Sequence, residues 1–287
     1  MKYIGFIIFT LTSANLISAA SGGIIIGPVR GQPGESVRLV TFSETKGDTV
    51  QKNILGKSIT DPFEIIRERD IVWTFRAPAA DGTRRGMVRV PKITTITKSL
   101  VGGKEQKITE KSPLVGKIFS MSKTPTADWK FELDGSVPLT RVQKEINELT
   151  VYLKRDWYPN RDLNVGDSWE FDPTWVRMLI DSEMSQTKTI ATMRLRQVRT
   201  AEKRRVAVID VSIQTSGGIF RSDGSQTNAT VELTGEVIVN LETMLDELLE
   251  LKGTISSVYI KGAESTKAKR SLRLLATKSF IKDSPMQ

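Results

Sequence analysis

"KTIATMRLRQVRTAEKRRVAVIDVSIQTSG" occupies residues 188–217. On its first arm Met193 and Leu195 alternate with Arg194 and Arg196. A period of two sends the apolar pair to one face of a strand and the guanidinium pair to the other. A polar tract at 200–205 interrupts the pattern, and β-branched residues resume at Val206. Two strands joined by a turn are therefore predicted, with Arg204 and Arg205 returning on the partner strand. The four arginines form a candidate anion-binding ribbon, and equally a charged margin that keeps a sheet from pairing with other chains.

The same texture extends in both directions. Downstream, residues 229–262 read "ATVELTGEVIVNLETMLDELLELKGTISSVYIKG". Leu241, Met244, Leu245, Leu248 and Leu249 have helical spacing, but both flanks are strand-like. A hairpin with a tight or one-turn-helical connection near 243–246 is expected, followed by a strand at 270–280. Upstream, residues 36–42, 71–78, 86–100, 114–123 and 128–133 are rich in β-branched and aromatic side chains, with a hairpin turn at Asp81-Gly82.

One helix interrupts this pattern. Thr140 and Gln143 have capping-box spacing, and Val142, Ile146, Leu149 and Leu153 recur at intervals of three and four. The helix is predicted over about 141–154, and its stripe needs an apolar surface to cover it. The expected fold is mainly β (α+β): a curved antiparallel sheet or half-barrel with this helix packed on it.

The 287 residues carry 42 Lys and Arg, 33 Asp and Glu, and neither Cys nor His. Disulfides, Cys/His metal sites, and triads or dyads that need His are all excluded. The commonest general acid–base is missing, so no enzyme, cofactor or metal is expected. Lys2 precedes an apolar run from Tyr3 to Leu11, and small residues lead to Ala20 and Ser21. This is the pattern of a signal peptide over 1–20, cleaved between Ala20 and Ser21. A flexible lead-in at 21–35 and a single β-rich domain at 36–287 are expected after it. The protein is thus predicted to be exported, periplasmic or secreted, without a later membrane-spanning segment. A net charge of +9 in such a location suits anionic lipid or envelope polymer rather than nucleic acid.

"YPNRDLNVGDSWEFD" (158–172) sets Asp162, Asp167, Glu170 and Asp172 among tryptophans. Counted as a calcium loop from Asp162, its glycine falls at position five rather than six, and position twelve is Pro173 rather than Glu. "LGKS" at 55–58 lacks the upstream glycine of a phosphate loop, since position 51 is Gln51. Ser120-Met121-Ser122-Lys123 and Ser185-Gln186-Thr187-Lys188 lie in strand-like rather than helical sequence, so Ser and Lys are not brought together. In 158–172 the structural reading prevails: Gly166 takes the positive φ of a turn, Asp167 caps it, and Trp169 enters the core.

Val165-Gly166-Asp167-Ser168-Trp169, followed much later by Gly235, Asn240 and Thr243, resembles an exported bacterial β-rich family of unknown function. That family looks akin to the periplasmic lipoprotein carriers of LolA/LolB type. Met244 stands where its pattern has Gly, and Asn240 where it has Asp. The resemblance implies a curved sheet with a helix on its concave face, and a cell-envelope location.

The leading expectation is a non-enzymatic exported protein that binds or carries an apolar or amphiphilic envelope ligand. Val142, Ile146, Leu149 and Leu153 would then form the ligand face, or else plain core. The alternative is an envelope interaction module, with Arg194, Arg196, Arg204 and Arg205 meeting an anionic polymer, lipid headgroup or protein. A carboxylate hydrolase using Asp167, Glu170 and Asp172 ranks last.

Overall fold

The computed structural model describes residues 23–52, 55–101, 104–124, 129–133, 142, 145–146, 157–173 and 185–281. Its described elements are strands: β1 (Ser36–Lys52), β2 (Ser58–Arg76), β3 (Arg84–Val101), β4 (Lys104–Lys111), β5 (Ile118–Lys123), β6 (Lys130–Leu133), β7 (Ser168–Glu170), β8 (Ser185–Ala201), β9 (Arg204–Phe220), β10 (Gln226–Asn240), β11 (Leu245–Lys261) and β12 (Glu264–Ile281). They form one 12-stranded antiparallel sheet in the order β6-β5-β3-β2-β1-β12-β11-β10-β9-β8-β7, with β4 also on β3. The sheet is open: β6 and β7 stand at opposite ends of the order and are not paired to each other.

Most pairings join neighbours in sequence through short turns. Among the described strands the long-range joint is β1 with β12, running from Ser36↔Ile281 to Lys52↔Ser265. It sews the first group of strands to the last and carries the topology. The turns follow from their residues. Glu202 and Lys203 both take positive φ, 49° and 67°, the geometry that matches strand twist in a two-residue hairpin. Asn240 Oδ1 accepts from the Glu242 and Thr243 backbone N–H groups, at 2.9 and 3.3 Å, and turns β10 into β11. Residues 241–251 therefore make a hairpin, with the turn at 241–244.

Alternation explains the two faces. Ile209, Val211 and Ile213 are buried, and register sets them beside Leu195, Met193 and Ala191 of β8 and Val237, Gly235 and Leu233 of β10. Asp210 and Gln214 point to the other face, where cations and acids meet across strands. Arg38–Asp70 (2.7 Å), Lys46–Glu64 (3.6 Å) and Arg273–Glu250 (3.4 Å) are examples. The apolar face holds two clusters. One centres on β8–β11 around Leu195, Ile209, Leu233 and Leu251, and the other on β1–β3 and β5 around Leu39, Ile71, Val88 and Phe119.

The strands run further than their alternation suggests. Beyond Thr41, β1 is half-buried or exposed on both faces, yet its ladder continues to Lys52. Pro62 is tolerated inside β2 because pairing with β3 begins only at Phe63, so no ladder bond is lost on that side. Pro91 sits where the β2–β3 register shifts between Asp70 and Val72, and where β3 passes from β5 to β4.

Two expectations change. The helix predicted over 141–154 is not seen among the described elements, and most of it, with Leu149 and Leu153, lies outside the described residues. Val142, Glu145 and Ile146 are described and have helical geometry, and Val142 and Ile146 pack on the second cluster. The lead-in is not loose from Gly23 onward. Ile24 pairs with Leu163, Ile24 and Ile26 are buried, the Arg30 N–H donates to Thr243 O at 2.8 Å, and the Gly34 N–H donates to Phe75 O at 2.8 Å. Burying Ile24 and Ile26 on the first cluster ties the segment down. Ala20 and Ser21 lie outside the described residues.

Candidate functional site

Beside the second cluster is a cavity of about 780 Å³. That is within the range of pockets that enclose small organic ligands, about 300–1,000 Å³. Three parts of the chain build it. Strand ends contribute Val37, Trp73, Phe75 and Met121; the tied lead-in contributes residues from Ile26 to Pro33; and Trp157, Tyr158 and Asn160 arrive from the segment before β7. Trp73 and Phe75 are two apart on β2, so alternation presents both rings to the same side. Gly31 lies flat on the Phe75 ring: a Cβ there would sit 2.3 Å from Cε2, so any side chain would displace a wall of the cavity.

The polar groups of the cavity are uneven. Arg76, Arg84, Arg85, Lys123 and Lys278 line it, against one acid, Asp246. Asp246 is 4% exposed and already engaged. The Tyr158 hydroxyl donates to its Oδ1 at 2.9 Å and the Lys278 ammonium to its Oδ2 at 3.3 Å, so the buried carboxylate is neutralised in place. Trp73 is 6% exposed, and its indole N–H has no hydrogen-bond acceptor. Tryptophan usually partners this group when buried. The cavity thus combines aromatic and aliphatic walls, an excess of cations and a buried donor without an acceptor.

The acids of 158–172 are not part of it. Gly166 has φ +99°, the Asp167 carboxylate accepts from the Asn164 N–H (3.0 Å) and from Arg161 (3.1 Å), and the Trp169 indole donates to Trp157 O at 2.7 Å. The Asn164 N–H first, then the Arg161 hydrogen bond, holds the Asp167 carboxyl below its ordinary pKa. Glu170 and Asp172 are exposed, and no cluster of acids fit for a metal ion occurs among the described residues. The segment gives the cavity its aromatics and keeps its carboxylates for the turn.

The arginine ribbon is largely occupied by the protein itself. Arg196 pairs with Asp210 at 3.0 Å and Glu236 at 2.6 Å, and Arg204 with Glu202 at 2.9 Å and Glu247 at 2.6 Å. Arg194 and Arg205 are exposed on the same hairpin. The sequence reading passed over Trp73, Phe75 and the cations of the cavity. Their signal was present: aromatics at i and i+2 run directly into Arg76, and the next strand opens with Arg84-Arg85.

No family model matches the chain, and no curated protein matches it in sequence. Among solved structures it is similar to Pseudomonas aeruginosa OccK7 (OpdD), at 5% identity over 86% of this chain and 100% of that one, with a TM-score of 0.32. An outer membrane channel from Pseudomonas putida F1 gives 9% identity over 92% and 100%, with a TM-score of 0.24. The Pseudomonas aeruginosa MucA/MucB complex gives 9% identity over 83% and 89%, with a TM-score of 0.10. Overlaps this weak carry no argument about function.

Proposed function

We propose that this protein is a non-enzymatic binding protein of the bacterial cell envelope, and that its ligand, an apolar or amphiphilic molecule, occupies the cavity walled by Trp73, Phe75, Trp129 and Trp157. The observation that carries the reading is the cavity itself: about 780 Å³ lined by aromatic and aliphatic side chains, beside a core cluster in which Val88 and Phe119 are almost fully buried. The signal-like N-terminus and the resemblance to lipoprotein carriers support the envelope location. The absence of histidine and cysteine, and the scatter of the acids around Asp167, support binding over catalysis. Val142 and Ile146 belong to the neighbouring core, while the ligand-facing role passes to the β2 aromatics.

Native mass spectrometry of the protein, purified from its own envelope fraction without detergent, tests this. The expected result is a co-purifying small amphiphile that is displaced when Trp73 or Phe75 is changed to Ala. A ligand-free spectrum, together with no binding of added acyl compounds, would overturn it.

A further inference from the structure

The cavity mouth collects cations at its strand ends. Along the polar face, cations meet acids across strands, as in Arg38–Asp70, Lys46–Glu64 and Arg196–Glu236. At the mouth, register sets Arg76 directly opposite Arg85, and Arg84 directly opposite Lys123. All four residues line the cavity. Like charges placed directly opposite destabilise a strand pair. Register opposes like charges elsewhere too, Lys98 to Lys107 and Lys252 to Arg273, but there Glu64 and Glu250 pair with the cations. Arg85 has Asp81 near it, whereas Arg84 and Lys123 have no acidic partner among the described residues, and the acid on the cavity wall, Asp246, is already held by Tyr158 and Lys278.

Deeper in the same wall the Trp73 indole adds a buried donor with no acceptor. Register places Val88 opposite Trp73, so Arg84, four residues before Val88, shares the Trp73 face. The cavity offers more donors and positive charge than acceptors and negative charge, over apolar walls that suit a hydrocarbon. Arg76 and Arg85, three positions from Trp73 and Val88, fall on the opposite face, so it is the Arg84–Lys123 pair that an anion on the cavity side would relieve, and its oxygens would accept from the Trp73 indole.

We infer that the ligand is an amphiphile with an anionic head, a hydrocarbon chain ending in carboxylate or phosphate, whose head is held at the strand ends by Arg84 and Lys123. This rests on the proposed role of the cavity as a ligand site. Neutral or cationic amphiphiles of the same chain length would share the apolar contacts and lose the head contacts.

The test is calorimetric titration of the delipidated protein with dodecanoate, dodecyl phosphate, dodecanol, dodecylamine and inorganic phosphate, at low and high salt. One or both anionic amphiphiles should bind about ten-fold or more tightly than dodecanol, since charge-assisted hydrogen bonds exceed neutral ones. That preference should shrink in high salt. The double variant R84A/K123A should weaken the anionic compounds to the level of the alcohol and leave the alcohol unchanged. If that variant does not fold, Arg84→Gln provides the same comparison with a smaller effect. Equal binding of dodecanoate, dodecyl phosphate, dodecanol and dodecylamine would overturn the anionic head and leave the proposed function standing. Inorganic phosphate binding as tightly as the amphiphiles would reduce the site to an anion site and overturn the inference. No binding by any compound would overturn the proposed function as well. A preference for dodecyl phosphate over dodecanoate, or the reverse, supports the inference and identifies the head.

Discussion

Two buried tryptophans summarise the difference between the halves of this sheet. Trp169, packed with the β8–β11 cluster, donates its indole N–H to Trp157 O at 2.7 Å. Trp73, packed with the β1–β3 cluster, is buried to the same degree and donates to nothing. The charges around them follow suit: Arg196 in the first half has two acids, whereas Arg76 and Arg84 in the second face cations. Satisfied groups and dense packing are what stability alone would select. The β9–β12 side also has a cavity, of about 820 Å³ and lined by Gly217, Asn228 and Lys269, and a buried Ser225 hydroxyl without a partner. What sets the other side apart is that an indole donor without an acceptor and a cation pair without an acid border one aromatic-walled cavity, and this directs the functional reading there rather than to the acids around Asp167.

The largest expected effect tests the packing side of the contrast. Ile209 has no exposure, and its neighbours by register, Leu195 and Val237, have none either. Ile209→Ala should cost about 2–5 kcal/mol, the usual range for a filled core. Met121→Ala, on the cavity wall, should cost less, because the removed atoms already border open space. Urea unfolding of both variants measures this, and equal losses would break the comparison.

The tryptophans come next. Trp169→Phe removes a made hydrogen bond and strands the Trp157 carbonyl, a loss of about 1–3 kcal/mol. Trp73→Phe removes a donor that has no partner, so its stability change should stay within about 1 kcal/mol, offset by the buried N–H no longer going unmet. Ligand affinity should move in the opposite order. If Trp73→Phe destabilises as much as Trp169→Phe, the indole of Trp73 has a structural partner and the contrast fails.

Much of the β architecture could be read from local pattern. Met193 and Leu195 against Arg194 and Arg196 gave β8, and the glycine of Val-Gly-Asp gave its turn, because both depend only on nearest neighbours along the chain. The far ends of β1, β2 and β12 could not be read in that way. Ser43 to Lys52 shows no clean alternation, since neither face is covered there, and only the β1–β12 ladder, hundreds of residues apart in sequence, keeps it extended. The cavity was illegible for the same reason. Its wall joins Ile26, Trp73, Met121, Trp157 and Lys278, which no spacing rule connects. The like-charge pairs exist only once register is known.

Acid titration separates what the halves share from what divides them. Asp167 in the packed half and Asp81 beside the cavity mouth each cap a turn, accepting backbone N–H groups of Asn164 and Thr83. In both cases that backbone bond is the main cause of a lowered pKa. A folded pKa below the unfolded one means the carboxylate stabilises the turn above the unfolded value, about 4. That stabilisation is lost as pH falls through the depressed folded value. Asp167→Asn and Asp81→Asn should each flatten the acid limb of the stability curve, and to similar extents. Thermal melts from pH 6 to pH 2 check this. A flattened limb in only one variant would mean that the halves differ in their turns as well as in their linings.

The smallest effect is the most discriminating, because its sign reverses between the halves. Arg196 has acidic partners at the surface, so Arg196→Gln should cost about 0.2–1 kcal/mol, the range of exposed ion pairs. Arg84 opposes Lys123, so Arg84→Gln should stabilise the ligand-free protein by a similar small amount. Salt should shrink both effects, since it screens attraction and repulsion alike. Adding an anionic amphiphile should turn the Arg84→Gln gain into a loss, because the variant forgoes part of the binding free energy that stabilises the unaltered protein. Melting temperatures of both variants, with and without dodecanoate or dodecyl phosphate and at two salt concentrations, measure all of these signs. A destabilised, ligand-free Arg84→Gln protein would show that Arg84 is held by the fold itself, and the charge contrast between the halves would disappear.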